Sequence, residues 1–238
     1  MKVIILSYTD YKEKDRIYNA IATDGYISFK VRGGSVNTSP YIWLTNPLTV
    51  ADVELTSDGR YKYPVMKEAL LVSSPIGLDD SLEYLFAIGI IQEVSKNMMT
   101  DEEKHLLYND IQFALEALKN KKDPYMVTLI FLARAIRLSG AGFEVDQCVF
   151  CGSKSDIVLF SFPDGGFVCK NCKEDDMVNS LSPNQMHLVR YIFKSPNYSC
   201  VGIDRYSLED KKAVIHAFKE YISDDLGVNL ITINSLIN

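Results

Sequence analysis

The run Thr23-Asp24-Gly25-Tyr26-Ile27-Ser28-Phe29-Lys30-Val31-Arg32 decides how the amino-terminal third is read. Asp-Gly between two apolar runs is a hairpin signal, because such tight turns need a positive φ that Gly supplies without strain. The residues after it alternate, with Ile27, Phe29 and Val31 toward one face and Tyr26, Ser28, Lys30 and Arg32 toward the other, which is the period of a half-buried strand. Working outward, Val3-Ile4-Ile5-Leu6 is an earlier strand, Asp10 to Asp15 a connection, and Arg16-Ile17-Tyr18 to Ala22 the run that enters the turn. Gly33-Gly34 ends the alternating segment, and Tyr41 to Leu44, Val50 to Leu55 and Tyr61 to Val65 follow as further strands, with Ser57-Asp58-Gly59 as a second Asp-Gly turn. Five or six short strands with no helical pattern between them predict a small closed barrel or a sandwich.

Beyond Pro75 the period changes to that of helices. Asp79 and Asp80 are cap candidates for a helix carrying Leu82, Leu85, Phe86 and Ile90. Thr100-Asp101-Glu102-Glu103 has the form of a capping box, and Asp123-Pro124 places a cap residue before Pro at the first helical position. Ser182-Pro183-Asn184-Gln185 repeats that logic, and a last helix is expected from Ser207 to about Asp225, closed by Gly227. The class is α+β, with divisions at 1–75 for the barrel, 76–145 for a helical region, 146–180 for a cysteine-rich insert and 181–238 for carboxy-terminal helices packing with 76–145.

The 238 residues are 47% hydrophobic and 24% charged, which excludes a disordered, collagen-like or coiled-coil chain. The net charge of −6 argues against a uniformly basic nucleic-acid binder. Its distribution is uneven: residues 1–78 carry 9 basic and 8 acidic side chains, whereas 79–145 carry 7 and 11 and 146–180 carry 3 and 6. No apolar run is long enough to span a bilayer, and the start does not read as a signal peptide, so a cytoplasmic location is expected.

Cys148-Val149-Phe150-Cys151 and Cys169-Lys170-Asn171-Cys172 form two Cys-x2-Cys pairs, with Cys200 left over as a small buried hydrophobe. In a reducing compartment that spacing suits one zinc ion at four thiolates. Gly152 fits a knuckle turn, and Asp164-Gly165-Gly166 makes a hairpin between Ile157 to Phe162 and Phe167-Val168, so the insert reads as a zinc ribbon. Four cysteines fill the coordination sphere and leave no position for water, which makes the zinc structural. His105, His187 and His216 have no nearby cysteine or paired acid, and no phosphate-loop, dinucleotide or nucleophile-elbow motif occurs. No enzyme chemistry is expected.

The order of barrel, helices and ribbon, with Leu138-Ser139-Gly140 leading through Gly142-Phe143 to Cys148-Val149-Phe150-Cys151-Gly152 and then Phe160-Ser161 to Gly165-Gly166-Phe167-Val168-Cys169-Lys170-Asn171-Cys172, resembles the bacterial recombination mediator RecO family. Asp10-Tyr11-Lys12-Glu13-Lys14-Asp15-Arg16 followed by Thr23-Asp24-Gly25-Tyr26-Ile27-Ser28 looks like that family's opening motif. The resemblance implies an OB-fold barrel at the amino terminus, a helical region holding the ribbon, and a role in DNA repair at the bacterial nucleoid. It further implies binding of single- and double-stranded DNA, annealing of complementary strands, and loading of RecA together with RecR. The acidic tail of single-strand-binding protein is the expected ligand of the helical region, where Arg134, Arg137, Arg190 and Lys194 are candidate contacts. Neither a membrane nor a small-molecule substrate is implied.

A barrel of this kind grips strands by basic side chains that follow phosphates and by aromatic faces on which bases stack. The candidate DNA-binding residues are Lys14, Arg16, Lys30, Arg32 and Tyr26. Lys12 to Arg16 also contains Glu13 and Asp15 and equally suits a solvated loop, while Tyr26, Tyr41 and Trp43 equally suit barrel packing. Where the family has further basic residues after Gly33, this chain has the neutral Gly34-Ser35-Val36-Asn37-Thr38. Fewer phosphate contacts predict weak binding that needs low salt. A protein-interaction scaffold with little direct DNA binding is the second reading. A nucleic-acid-modifying enzyme with a ribbon grip would need a nucleophile beside a poised acid, and none is found.

Overall fold

A computed structural model describes residues 1–57, 62–178, 180–196, 198 and 205–238, in two compact units, Met1–Leu115 and Glu116–Asn238. The first unit holds five strands, β1 (Lys2–Tyr11), β2 (Asp15–Ala22), β3 (Gly25–Val31), β4 (Val50–Thr56) and β5 (Val65–Ser73). They close in the order β1-β2-β3-β5-β4, and β4 returns to pair with β1. Every pairing is antiparallel except β3 with β5, where Lys30 lies opposite Val65. This is the OB-fold topology. Phe29 and Val31 point inward with Tyr18, Ala20, Val53 and Met66, and Ile27 packs against them, as the alternation requires.

Two strands differ from the sequence expectation. Tyr41 to Leu44 is not a strand: Ile42–Thr45 forms a 3-10 turn. Its Leu44 is wholly buried in the barrel core, with Tyr41 and Trp43 packed beside it, so these residues act as a plug. The fifth strand runs later than Tyr61 to Val65. Its inner face is Met66 and Ala69, but exposed Leu70, Leu71 and Val72 erase the alternation that would have marked it. Asp58, Gly59 and Tyr61 lie outside the described residues.

Helix α1 (Leu82–Asn97) starts after Ser81, and the Asp79 carboxylate accepts from the Ser81 N–H at 2.8 Å rather than capping the helix itself. The Thr100 hydroxyl donates to Glu103 at 2.9 Å instead of accepting a backbone N–H. A 3-10 turn, Lys104–Leu107, therefore precedes α2 (Tyr108–Lys119). Among the described residues, no helix is long and apolar enough to cross a membrane.

In the second unit, α3 (Pro124–Leu138) is flanked by α4 (Pro183–Lys194) and α5 (Leu208–Asp224), with the hairpin β6 (Ile157–Ser161) and β7 (Gly166–Cys169) inserted between α3 and α4, and α6 (Ile233–Ile237) at the end. The caps expected at Asp123 and Ser182 form here: Asp123 accepts from Tyr125 and Met126 at 2.8 and 3.2 Å, and Ser182 and Gln185 make a reciprocal box; Ser207, the expected start of the last helix, also caps it, accepting from Asp210 at 3.0 Å. Phe143, Phe160, Phe162, Phe193 and Tyr221 meet mostly edge to face, the arrangement that aromatic quadrupoles favour, and join the hairpin to α4 and α5.

One ion pair stitches α3 to α5. Lys211, 4% exposed, places its ammonium 2.6 Å from the Asp123 oxygen that is not engaged in capping. Lys211→Ala leaves that carboxylate without this cation, and Asp123→Asn takes the anionic charge away from the ammonium. Because Asp123 retains some exposure, each is expected to cost about 2–3 kcal/mol, below the usual range for a fully buried pair, measured by urea unfolding.

Candidate metal centre and nucleic-acid interface

Each Cys-x2-Cys pair folds as a tight turn. Cys148 accepts from the Gly152 N–H at 2.9 Å, with Gly152 at φ 72°, and Cys169 accepts from Cys172 and Lys173 at 3.1 and 3.0 Å. The β6–β7 pairing then brings the turns together, so that one sulfur from each of Cys148, Cys151, Cys169 and Cys172 lies within 4.8 Å of the others. Cys151 and Cys169 are 3.6 Å apart, against about 3.8 Å between the sulfurs of a tetrahedral zinc site with Zn–S near 2.3 Å. The four sulfurs are free thiols, spaced and chemically suited to hold a soft divalent metal ion. Burial raises the Cys148 thiol, but N–H groups of Cys169, Cys151 and Phe150 outweigh it and bring it down to about 6. A hydrogen bond with Cys151, then burial, then Cys169 and Cys148 push Cys172 up to about 12. Four thiols in one small volume cannot all ionise without a cation among them. Cys200 lies outside the described residues.

A strap formed by Phe143–Asp146 ties this cluster to α4. Glu144 bridges Gly166 in parallel fashion, donating to Gly165 at 2.8 Å and accepting from Phe167 at 3.1 Å. A Cβ on Gly166 would collide with the Glu144 carbonyl. Arg190 on α4 donates to the Val145 carbonyl at 3.0 Å, and Arg190 and Lys194 both reach the Asp146 carboxylate, at 2.9 and 2.6 Å. Lys194 first and then Arg190 hold that carboxyl below its usual range. Beside these contacts a cavity of about 390 Å³ is walled by Ile157, Phe167, Met186, His187 and Arg190, and a second of about 290 Å³ continues past His187 and Arg190 to Tyr191 and Lys194. Arg134 and Arg137 do other work: their guanidinium groups donate to the carbonyls of Pro196 and Phe193 near the end of α4.

At the barrel, the candidate basic residues come to one end of β2 and β3. Arg16 pairs with Val31 across the ladder, the Gly33 N–H donates to Asp15 at 3.0 Å, and the Ser35 N–H donates to the Lys14 carbonyl at 3.0 Å. Their charges are not equally open. Arg16 bonds Asp10 at 2.7 Å and lies 4.5 Å from the Tyr8 ring centroid, and its hydrogen bond to Asp10 raises its already high pKa against the pull of burial. Lys30 lies on the face opposite Phe29, as the alternation requires, but it is not open to a phosphate: it is 9% exposed and sits 3.6 Å from Asp15. The 3-10 turn Lys104–Leu107 packs against β2 and β3, and Lys104 lies over the Tyr26 ring at 4.7 Å, so that outer face is partly covered. Lys14 and Arg32 are exposed and make no ion pair among the described residues.

The sequence reading missed Tyr8 and Tyr11. Both are more than a third exposed, and Lys12 lies 5.5 Å from the Tyr11 ring centroid. Continuing β1 past Leu6 through Tyr8-Thr9-Asp10-Tyr11, rather than treating Asp10 as the start of a connection, would have found them.

A family model described as "Recombination protein O C terminal" matches residues 80–230. The chain is 24% identical over 225 residues to the DNA repair protein RecO of Bacillus pumilus (strain SAFR-032), covering 92% of this chain and 87% of that protein. It is 23% identical over 225 residues to the DNA repair protein RecO of Bacillus subtilis (strain 168), covering 92% and 88%. It is 27% identical over 245 residues to the DNA repair protein RecO of Enterococcus faecalis (strain ATCC 700802 / V583), covering 96% and 88%.

Removing one sulfur tests the metal cluster. Cys169→Ser is expected to lower bound metal from about one ion per chain to well below that, measured by elemental analysis after gel filtration, and to make the hairpin amides exchange faster.

Proposed function

We propose, from the premise that this chain belongs to the RecO family of DNA repair proteins, that it is a non-enzymatic recombination mediator. In this reading the barrel, residues 1–75, binds single- and double-stranded DNA and anneals complementary strands. The helical segments 76–145 and 181–238 receive protein partners, and 146–180 is a ribbon held by one structural zinc at Cys148, Cys151, Cys169 and Cys172. Zinc supplies a crosslink there, with no coordination position left for water. Together with RecR the protein would help load RecA onto DNA covered by single-strand-binding protein, in the bacterial cytoplasm at the nucleoid.

The observation that carries the DNA reading is the end of an OB barrel where Lys14 and Arg32 stand free of ion pairs among the described residues, in the same region as exposed Tyr8 and Tyr11. Phosphates meet the cations and bases stack on the rings. Arg16 and Tyr26 contribute through the edges left open by Asp10 and Lys104, and Lys30 holds the hairpin in place through Asp15. With so few open charges, binding is weak and salt-sensitive. The pairing of Arg16 and Lys30 with acids also favours the scaffold alternative, in which protein contacts dominate. The Lys14→Glu/Arg32→Glu variant separates the two. If the barrel binds strands, annealing at low salt is lost, and the slope of log affinity against log salt for a single strand shrinks by roughly 1.4. Unchanged annealing leaves the scaffold.

The acidic tail of single-strand-binding protein fits the α4 groove, where Arg190 and Lys194 supply charge and Met186 and Phe167 an apolar wall. Arg190→Glu/Lys194→Glu is expected to weaken a labelled tail peptide at least about tenfold in fluorescence anisotropy.

A further inference from the structure

Among the described residues, a cavity of about 620 Å³ opens between the turn after β6 and one face of α5. Ala213, Ala217 and Tyr221 recur at helical spacing along its floor, and Phe162 and Pro163 form the opposite wall. The Phe162 and Tyr221 rings are 5.5 Å apart and inclined by 31°, so aromatic surface lines the cleft. Its rim is acidic, formed by Glu220, Asp224 and Asp225. Lys219 lies 3.2 Å from Glu220, but neither Asp224 nor Asp225 has an ion-pair or hydrogen-bond partner for its side chain among the described residues.

Those two carboxylates work against the helix that carries them. They occupy the carboxy-terminal end of α5, where the macrodipole is negative and cations are favoured, and the last turn contains no basic residue. Folding alone gives no reason to concentrate negative charge beside an aromatic wall at that end. A cationic ligand does, because ring faces and carboxylates attract the same ammonium or guanidinium group. Nucleic acid is repelled by such a rim.

We propose that this cleft docks a basic, apolar-flanked segment of a partner protein. An Arg or Lys lies across Phe162 and Tyr221 with its charged end at Asp224 and Asp225, and a neighbouring apolar side chain covers Ala213 and Ala217. The apolar floor is what distinguishes a peptide from a free polyamine, which has charge on short methylene spacers but no branched apolar side chain to set beside it.

The test uses the full chain with its metal bound and a fluorescein-labelled Leu-Arg-Leu-Arg-Leu-Arg peptide, read by anisotropy at low salt. Saturable binding is expected, weakened at least about tenfold by Asp224→Lys/Asp225→Lys. That charge reversal suits the helix dipole, so thermal melting should show a fold at least as stable as the parent. Lack of saturable binding, or equal affinity for parent and variant, overturns the proposal. So does displacement by spermidine at the same concentration as unlabelled peptide, which would mark a site for small polycations. An acidic tail peptide should bind the variant unchanged, which separates this cleft from the groove on α4.

Discussion

Helix α3 has to be covered on every side. Met126 through Ala133, with Ala135 and Ile136, are all buried, so the helix holds its place only while α4 and α5 remain against it. Its charged contacts gather at its ends. Asp123 satisfies the first N–H groups and takes the Lys211 ammonium from α5, while Arg134 and Arg137 near the other end reach carbonyls where α4 finishes. The position of α4 in turn brings Arg190 and Lys194 to Asp146, two residues before the first metal-cluster cysteine. Burial of one apolar helix thus fixes, through a few charged contacts, where the cysteine hairpin attaches.

The barrel handles its charges differently. Cations and acids share the end of β2 and β3, and Asp10 and Asp15 take up much of what Arg16 and Lys30 would offer a phosphate. In the DNA-binding reading proposed above, an end so balanced would orient a strand without holding it tightly.

What could be read from the sequence was what depends on neighbours in the chain. The caps at Asp123, Ser182 and Ser207 formed because each needs only the next three residues. The four cysteines are likewise legible, since two short turns and one hairpin bring them together. Thr100 shows the limit of local pattern: its hydroxyl found the Glu103 carboxylate, and a 3-10 turn followed. Alternation correctly gave Lys30 the opposite face from Phe29, but it could not show what lies over that face. Tyr41 to Leu44 has strand composition, yet the barrel interior needed Leu44 as a plug, a demand visible only once the barrel closes.

The bridge between Glu144 and Gly166 has a consequence for chain connectivity. Without it, the path from α3 to α4 runs through all of residues 139–182, a long excursion whose ends must be brought together against chain entropy. With it, the path steps from 144 directly to 166, roughly halving the free span and easing closure by about 0.6 kcal/mol. The β6–β7 pairings join residues close in sequence, so the hairpin can assemble early and present the two helices to each other over a shorter tether. Gly166 is the clasp of that shortcut, and the missing side chain is what lets the strap close on it.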